Sequence, residues 1–356
     1  MPLRVLAINP GSTSTKVAVF DDETPLFVQT VPHPAAELAK YEHIFDQYAE
    51  RLQGILSLLE EQGVAFDSLA AVVGRGGVLS PLASGTYNVR QNMLSQLREP
   101  STMEHASNLG APLAYEIAAR AGVPAFTVDP VAVDEFEPVA RISGLPEVPR
   151  HSRSHALNVK TVARRAARDL GKRYEELNLI VVHLGGGISV TSHRQGRMID
   201  VNNATDAGPF SPERAGTLPL NGFIDLCYSG RHTREQMKRL VMGFSGLVAH
   251  LGTNSTLDVE QMIADGDEHA RLIYEAMAYN VAKEIGGMAT VLRGQVDAIV
   301  LTGGSAHSAL LVQWIEERVR FLAPLLVYPG EDEMLALVQG ALRVLRGEEG
   351  AKEYHG

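Results

Sequence analysis

The sequence has very little cysteine: Cys227 is the single one among 356 residues, which excludes an intrachain disulfide. A chain that folds without disulfides fits a reducing compartment, so we expect a cytoplasmic protein in which Cys227 is a small, buried apolar residue. Long apolar runs are also missing, since no stretch reaches the roughly 18 residues that a membrane-spanning helix needs. The apolar N-terminal stretch is interrupted by Asn9 and Pro10, unlike a signal peptide. These absences predict no membrane partner.

Positive charge is scarce as well. The 32 lysines and arginines are outnumbered by 42 aspartates and glutamates, which gives a formal net charge of -10 and argues against nucleic acid as a partner. Apolar residues make up 45% of the chain, enough for sizeable cores, and the length favours two domains. We expect a first domain over residues 1–150 and a second over 151–332. The proline-rich stretch Asp134–Arg153 links them, and residues 333–356 pack back on the first domain.

The hydrophobic pattern predicts an α/β chain whose second half repeats the first. Strands are expected at Leu3–Asn9, Lys16–Phe20, Leu26–Val31, Leu69–Val73 and Ala125–Asp129, in a hairpin over residues 179–198, and at Ala298–Leu301 and Leu325–Tyr328. Helices are expected at Tyr41–Gln62, Ala156–Leu170, Ser308–Leu322 and Glu333–Leu345. Two further helices are expected to be interrupted: Met103–Ala121 at Gly110 and Pro112, and Glu268–Leu292 at Gly286 and Gly287.

Glycine and hydroxyl residues are concentrated at three corners, each directly after an apolar run. Their candidate nucleotide-binding residues are Gly11, Ser12, Thr13 and Ser14 in the first corner, His183, Gly185, Gly186 and Gly187 in the second, and Thr302, Gly303, Gly304 and Ser305 in the third. Glycine lets backbone N–H groups approach an anion closely, and the helix expected after the third corner would favour a nucleotide's sugar or α-phosphate. One such corner alone is equally an ordinary turn or bulge. Three together indicate a duplicated phosphate-binding fold.

The first corner is not a Walker A loop. In that motif a lysine opens a helix, whereas Lys16 is followed by Val17, Val19 and Phe20, which favour a strand. The role of Lys16 is therefore left open.

The order and spacing of the corners resemble the phosphate-1, phosphate-2 and adenosine motifs of the ASKHA superfamily, which includes acetate and sugar kinases, Hsp70 and actin. Within it the chain is similar to the acetokinase family, and in that family to the butyrate kinases. The motifs that carry the resemblance are INPGSTSTK (Ile8–Lys16), VVGRGG (Val72–Gly77), EHASNLGAP (Glu104–Pro112), TVDPVAVDEF (Thr127–Phe136), RHSRSHALN (Arg150–Asn158), HLGGGISV (His183–Val190), DAGPFSPERAGTLP (Asp206–Pro219) and YPGEDEMLAL (Tyr328–Leu337).

The resemblance implies two ribonuclease H-like α/β domains, each a mixed sheet flanked by helices. It also implies a magnesium- and ATP-dependent phosphotransferase that makes butyryl phosphate and ADP from butyrate and ATP, reversibly, and that forms a homo-oligomer of two or more chains. Kinases of acetate, propionate or branched-chain fatty acids are the alternatives within the family. A sugar kinase and a non-enzymatic actin-like ATPase are the alternatives outside it.

Arg75 and three histidines are the candidate groups for the substrate and the transferred phosphoryl. Arg75 lies in a glycine-flanked loop, where a guanidinium can hold carboxylate or phosphoryl oxygens, as the matching arginine of the family does. His151 and His155 have the spacing of a zinc pair but lack a third ligand. The resemblance instead gives His151 a role in stabilising charge in the transition state and His155 a supporting one. His105 matches an active-site histidine, although it could also cap a helix.

The candidate magnesium residues follow strands or lie in an acidic loop. Asp129 ends a predicted strand, where a carboxylate is well placed for Mg²⁺ or its waters. In the run Glu331-Asp332-Glu333 the resemblance favours Glu333, with Asp332 and Glu331 left open. Asn9 interrupts an apolar strand beside the first corner, and its amide requires a partner such as a phosphate or a metal-bound water.

One departure concerns the acid-binding side. Acetate kinases carry an active-site arginine shortly after a Gly-Thr step, whereas here Gly216-Thr217 is followed by Leu218 and Pro219. We take Arg214 as the substitute, and the apolar Leu218 and Pro219 as consistent with an acyl chain longer than acetate. A carboxylic acid is already ionised at neutral pH, so no general base is needed, and the cationic set fits the approach of two anions.

Overall fold

The computed structural model describes residues 2–99 and 104–356, apart from the side chain of Ala35. Over these residues the strands are β1 (Arg4–Pro10), β2 (Ser14–Asp21), β3 (Thr24–Pro32), β4 (Ala71–Arg75), β5 (Thr86–Asn88), β6 (Ala125–Val128), β7 (Asn178–Leu184), β8 (Ile188–Arg194), β9 (Arg197–Val201), β10 (Ala298–Gly303) and β11 (Leu325–Pro329). The helices are α1 (Ala35–Leu38), α2 (Tyr48–Glu61), α3 (Gln91–Arg98), α4 (Gly110–Ala121), α5 (Ala156–Asp169), α6 (Leu220–Tyr228), α7 (Arg234–Val241), α8 (Leu247–Leu251), α9 (Thr256–Ala264), α10 (Glu268–Val291), α11 (Ala309–Val319) and α12 (Glu333–Leu345).

The two sheets repeat one topology. The first has the order β3-β2-β1-β4-β6-β5 and the second has the order β11-β10-β7-β8-β9. In each, a three-stranded antiparallel meander continues into two parallel strands, so that β1 corresponds to β7, β4 to β10 and β6 to β11. The short β5 is an additional antiparallel edge strand of the first sheet. The predicted fold class, two mixed-sheet α/β domains, is therefore confirmed.

The chain divides into two compact units, and the division falls earlier than residue 150. Unit 1 comprises Met1–Asp134 and Asp332–Gly356, and unit 2 comprises Glu135–Glu331. The stretch expected to end the first domain lies in unit 2 because Arg150 bonds to Asp200 and to the carbonyl of Val201, both on β9, at 2.8 Å.

The last helix, α12, is part of unit 1. Its buried face includes Met334, Leu337 and Leu342 and packs on β1, β4 and β6. Gly340 lies so close to Val128 that a β-carbon at position 340 would overlap that side chain. This close approach ties the C-terminal helix to the first sheet.

Three helix predictions differ from the structure. The helix expected from Tyr41 begins at Tyr48, because Ile44–Gln47 forms a separate 3₁₀ turn. Gly110 opens α4 instead of interrupting a longer helix, and the start predicted at Met103 lies outside the described residues. The helix α10 runs unbroken through Gly286 and Gly287, because burial of Ile285, Met288 and Ala289 outweighs a propensity cost of about 1 kcal/mol per glycine.

Cys227 was predicted to be buried, and this is wrong. It lies on α6, where every described side chain is at least partly exposed, and it is itself exposed. In the described residues, no helix has the combination of length and apolar character needed to cross a membrane.

Candidate active site

The first corner connects β1 to β2 in unit 1. The two strands pair up to Pro10 and Thr15, and the Gly11 N–H donates to the Ser14 carbonyl at 2.7 Å, which closes the turn. Ser12 and Thr13 are exposed at its tip. The strand β2 begins at Ser14, two residues before the predicted start at Lys16. Lys16 lies within this strand, exposed and opposite Asn9, so it does not occupy the position of a Walker lysine.

Arg75, Asn9 and Glu333 meet at the ends of their elements. Arg75 ends β4, Asn9 lies near the end of the neighbouring β1, and Glu333 begins α12. The Glu333 carboxylate accepts a hydrogen bond from the Asn9 amide at 2.6 Å and forms an ion pair with the Arg75 guanidinium. The Arg75 Nε is buried and has no hydrogen-bond partner among the described residues. One donor group of this guanidinium is paired with a carboxylate, and its Nε is left to donate to another acceptor. Such an arrangement fits a site that binds an anionic oxygen.

Glycines hold the loop of Arg75 against its neighbours. A β-carbon on Gly74 would overlap the Gly110 backbone, one on Gly76 would overlap Pro130, and one on Gly77 would overlap Asn108. The Asn108 amide oxygen also accepts from the Val78 N–H at 2.8 Å. This close packing against the start of α4 fixes the position of Arg75 at the end of β4.

His105 caps a short helical turn, as the structural alternative predicts. Its Nδ1 accepts from the Ser107 N–H at 3.2 Å and pairs with the Ser107 hydroxyl at 2.7 Å. Burial of the ring, and second the positive charge of Arg75, lower the pKa of His105. A neutral imidazole close to Arg75 is therefore expected at neutral pH.

Asp129 follows β6 in a strained backbone conformation, with φ of 38°. The side chain is buried, and its Oδ1 accepts from the Ser84 hydroxyl at 2.6 Å and from the Gly85 N–H at 2.8 Å. These bonds hold the carboxylate in one orientation.

The acidic run that sequence left ambiguous has three separate roles. Glu331 lies 3.9 Å from the ring of His183 in unit 2. Asp332 caps α12 by accepting from the Leu335 N–H at 2.9 Å, and Glu333 joins Asn9 to Arg75. Among the three, Glu333 is the carboxylate that lies with the other unit 1 site residues.

The second corner, in unit 2, is packed against Arg214. A β-carbon on Gly187 would overlap the guanidinium, so glycine is required there for Arg214 to lie against the corner. Arg214 Nη1 donates to the Ala204 carbonyl at 2.9 Å, and the Ser211 hydroxyl donates to the Gly186 carbonyl at 2.5 Å. Burial lowers the pKa of Arg214, and the charge of Glu213 opposes that shift. The structure thus brings together Arg214 and the predicted phosphate corner.

Two stacked histidines lie beside this corner. The rings of His155 and His183 are parallel within 16°, with centroids 3.8 Å apart. His183 Nδ1 is 2.8 Å from the Asn158 amide oxygen, and His155 Nδ1 is 2.9 Å from the Ser189 hydroxyl. Sequence reasoning found both histidines but not Asn158 or Ser189. The available signal was a polar residue at a buried position of α5 and of β8.

The third corner follows β10 and adjoins the second. Gly303 has φ of 88°, and a β-carbon there would overlap the Leu184 carbonyl. The Thr302 hydroxyl donates to the Gly330 carbonyl at 3.1 Å, and Ser305 is buried while Gly304 is exposed. A 3₁₀ turn over Gly304–His307 follows the corner, and the helix predicted from Ser308 is α11, which begins at Ala309.

The remaining predicted residues are exposed within unit 2. His151 lies in an irregular segment anchored by the neighbouring Arg150. Leu218 and Pro219 precede α6, with Leu218 38% exposed. Their assigned roles stay predictions.

A sequence model of the acetokinase family matches residues 148–325, half of the chain. The chain belongs to the acetokinase family. Its members are ATP-dependent carboxylate kinases, so the cationic groups described above lie in a protein whose two substrates are both anions.

Solved structures agree with this fold. The chain is similar to the acetate kinase of Porphyromonas gingivalis, with 18% identity, a TM-score of 0.78, and coverage of 96% of this chain and 100% of that one. A propionate kinase from Francisella tularensis gives 18% identity, a TM-score of 0.75, and coverage of 95% and 98%. A putative N-acetylmannosamine kinase from Listeria monocytogenes is more distant, with 11% identity, a TM-score of 0.53, and coverage of 98% and 100%.

Proposed function

We propose that this acetokinase-family protein phosphorylates butyrate with MgATP, reversibly, to give butyryl phosphate and ADP. The observation that carries the proposal is the Arg75 guanidinium, which forms an ion pair with Glu333 and whose buried Nε has no partner within residues 2–99 and 104–356. The preference for butyrate rests on the apolar pair Leu218-Pro219, which follows Arg214 where an acetate kinase has other residues.

The proposed reaction is direct and in line. A carboxylate oxygen of butyrate attacks the γ-phosphorus, the new P–O bond forms, and the bond to the bridging oxygen breaks with its electron pair leaving on ADP. Because butyrate is already ionised, no residue has to remove a proton. The chain's task is to neutralise charge and position the groups: Arg75 on the acid and the transferred phosphoryl, His151 on the phosphoryl, and Arg214 beside the second corner.

Magnesium is expected on the oxygens of Asp129 and Glu333, directly or through water. In the described residues, no three His, Cys, Asp or Glu side chains form a ready-made metal site. This donor set fits Mg²⁺, which keeps several waters and uses one or two carboxylates together with substrate phosphates. When bound, the ion would neutralise phosphate charge.

His151→Ala is expected to lower kcat by more than about tenfold, because the imidazole is proposed to stabilise charge that develops on the phosphoryl group. Stability is expected to change little, since His151 is exposed. Steady-state kinetics and thermal unfolding measured on one preparation test both points. Near-normal turnover would remove His151 from the mechanism.

Leu218→Ala is expected to lower kcat/KM for butyrate relative to acetate, by about three- to tenfold, because two carbons of the longer chain lose apolar contact. Leu257→Ala, at another exposed leucine in unit 2, is the matched control and should leave the ratio unchanged. Unchanged ratios in Leu218→Ala would withdraw support for butyrate selection at this position.

Acetate or propionate is the second candidate substrate, favoured by the similarity to an acetate kinase and a propionate kinase. The two candidates are separated by kcat/KM for the straight-chain acids from acetate to hexanoate, measured as hydroxamate after trapping the acyl phosphate. The proposal predicts a maximum at butyrate. A maximum at acetate or propionate would assign that acid instead and leave the carboxylate kinase reaction standing.

A further inference from the structure

A completely buried arginine lies directly behind the first corner. Arg51 is on α2, has 0% exposure and belongs to the same unit as the corner. Among the described residues no carboxylate lies within ion-pair distance of it. Burial lowers its pKa, and the negative charge of Glu50 opposes that shift. A buried charge without a counter-ion is costly, so its contacts must compensate for lost hydration.

Among the described residues, three of the six hydrogen bonds made by the Arg51 side chain go to carbonyls of the first corner. Arg51 Nη1 donates to the carbonyls of Gly11 at 2.9 Å and Ser14 at 3.2 Å, and Nη2 donates to the Ser12 carbonyl at 3.2 Å. Nη1 also lies 3.1 Å from the Thr15 hydroxyl. One side chain therefore binds three of the four carbonyls in the turn Gly11–Ser14.

Gln47 holds the Arg51 guanidinium in place, and His33 holds Thr13 of the turn and Thr15 just after it. Gln47 accepts from Arg51 Nε at 3.1 Å and from Nη2 at 2.8 Å. His33 pairs with the Thr15 hydroxyl at 2.9 Å, and its backbone N–H donates to the Thr13 carbonyl at 2.8 Å. Burial, and second the positive charge of Arg51, lower the pKa of His33, so the ring is neutral at neutral pH.

This arrangement orients the peptide groups of the turn. In a trans peptide the N–H points opposite to the C=O, and the structure has no cis peptide bond among the described residues. Because the carbonyls of Gly11 and Ser12 face Arg51, the N–H groups of Ser12 and Thr13 face the other way, at the exposed tip. The oxygens are held on the inner side and the donors on the outer side, which is the polarity that a phosphate requires.

We infer that Arg51 is a positioning residue for nucleotide phosphate. It holds the carbonyls of the first corner away from the phosphate-binding face and adds a positive charge behind that face. This inference rests on the proposed function in one respect, namely that the first corner binds phosphates of ATP and ADP. The chemical class of ligand is a nucleoside di- or triphosphate.

The test compares Arg51→Met with Arg51→Lys in the full-length protein. Arg51→Met is expected to raise KM for ATP, and the Kd for MgADP measured by calorimetry, by about tenfold or more, while KM for the acid changes less than about twofold. Arg51→Lys restores the positive charge but not the several N–H donors of the guanidinium. It is therefore expected to recover only part of the nucleotide affinity that Arg51→Met loses. A purely structural role would lower the amount of active enzyme without separating the two KM values.

Lys160→Met is the matched control. Lys160 is also fully buried, in unit 2, and its ammonium binds Glu135 at 2.5 Å and the Gly196 carbonyl at 3.0 Å, at the end of β8 opposite the second corner. The change is expected to lower thermal stability without changing KM for ATP. If Arg51→Met does not fold, Thr15→Val keeps the charge, removes one clamp of the turn, and is expected to raise the Kd for MgADP by about threefold.

Four outcomes are informative. Weaker MgADP binding in the Arg51 or Thr15 variants supports the inference, even if the wild-type protein phosphorylates no acid, in which case only the proposed function fails. Unchanged MgADP affinity in folded Arg51→Met, or in Thr15→Val where Arg51→Met does not fold, overturns the inference while leaving an active wild-type kinase in place. A rise in KM for ATP in Lys160→Met equal to that in Arg51→Met also overturns it. Absence of nucleotide binding by the wild-type protein overturns both.

Discussion

Replacement of Arg75 by alanine is expected to lower kcat by about 10³-fold or more, an effect of the size that arginine fingers have in phosphoryl transfer. The Arg75 side chain is 13% exposed and forms an ion pair with Glu333, and its buried Nε has no partner in the part of the chain that the structure describes. Two anions must meet for the reaction, and loss of this cation leaves their repulsion uncompensated. The measurement is kcat together with KM for butyrate and KM for MgATP, each determined by varying one substrate while the other is saturating.

The control for Arg75→Ala is Arg4→Ala. Arg4 lies in the same sheet, at the opposite end of β1, and forms a two-point ion pair with Asp21 at 2.7 and 2.9 Å. Its loss is expected to have a small effect on stability and none on kcat. Turnover of Arg75→Ala within a few-fold of the wild type would contradict the central role given to Arg75.

Arg214→Ala is expected to lower kcat/KM for ATP by about 10²-fold or more, because the half-buried guanidinium lies against the second corner and its charge is lost there. Gly187→Ala tests the same contact from the other side. Its new methyl group would occupy the position of the guanidinium, so the arginine is displaced while its charge is kept. We expect a smaller loss, about tenfold, in the same parameter.

Gly286→Ala provides the matched glycine control, since a β-carbon at that position in α10 meets no atom within 4 Å. It is expected to leave catalysis unchanged and to stabilise the helix slightly. If Gly187→Ala behaves like Gly286→Ala, the contact between Arg214 and the corner has no catalytic significance.

The sequence predicted the duplicated sheets because their signal is local. Apolar β-branched runs that end in glycine corners mark β1, β7 and β10 directly, and the helix α12 has a clear apolar face. The continuous helix at Gly286 was not predictable, because the burial that overcomes two glycines comes from residues distant in the chain. The division after Asp134 falls at the start of the predicted link, whereas the expected first-domain end at residue 150 differs, because Arg150 contacts β9.

The sequence predicted which types of residue form the candidate site, but it did not predict which residues each of them contacts. Glu331, Asp332 and Glu333 are chemically alike and adjacent, and only the direction of the chain entering α12 gives them separate contacts. The unusual position of Arg51 is visible in the sequence. It falls between Tyr48 and Ile55 on the apolar stripe of its helix, where a charge is unexpected unless it has a buried partner. A cation on the apolar stripe of a helix that follows a glycine corner is the signal that was available in the sequence.

The most direct test of the account is ADP formation by the purified protein from MgATP, with and without butyrate, with hydroxylamine present to trap acyl phosphate. The account predicts that ADP formation requires the acid and that one hydroxamate forms for each ADP. ADP formation that is the same without acid, or that yields no hydroxamate, would contradict it and point to an ATPase instead.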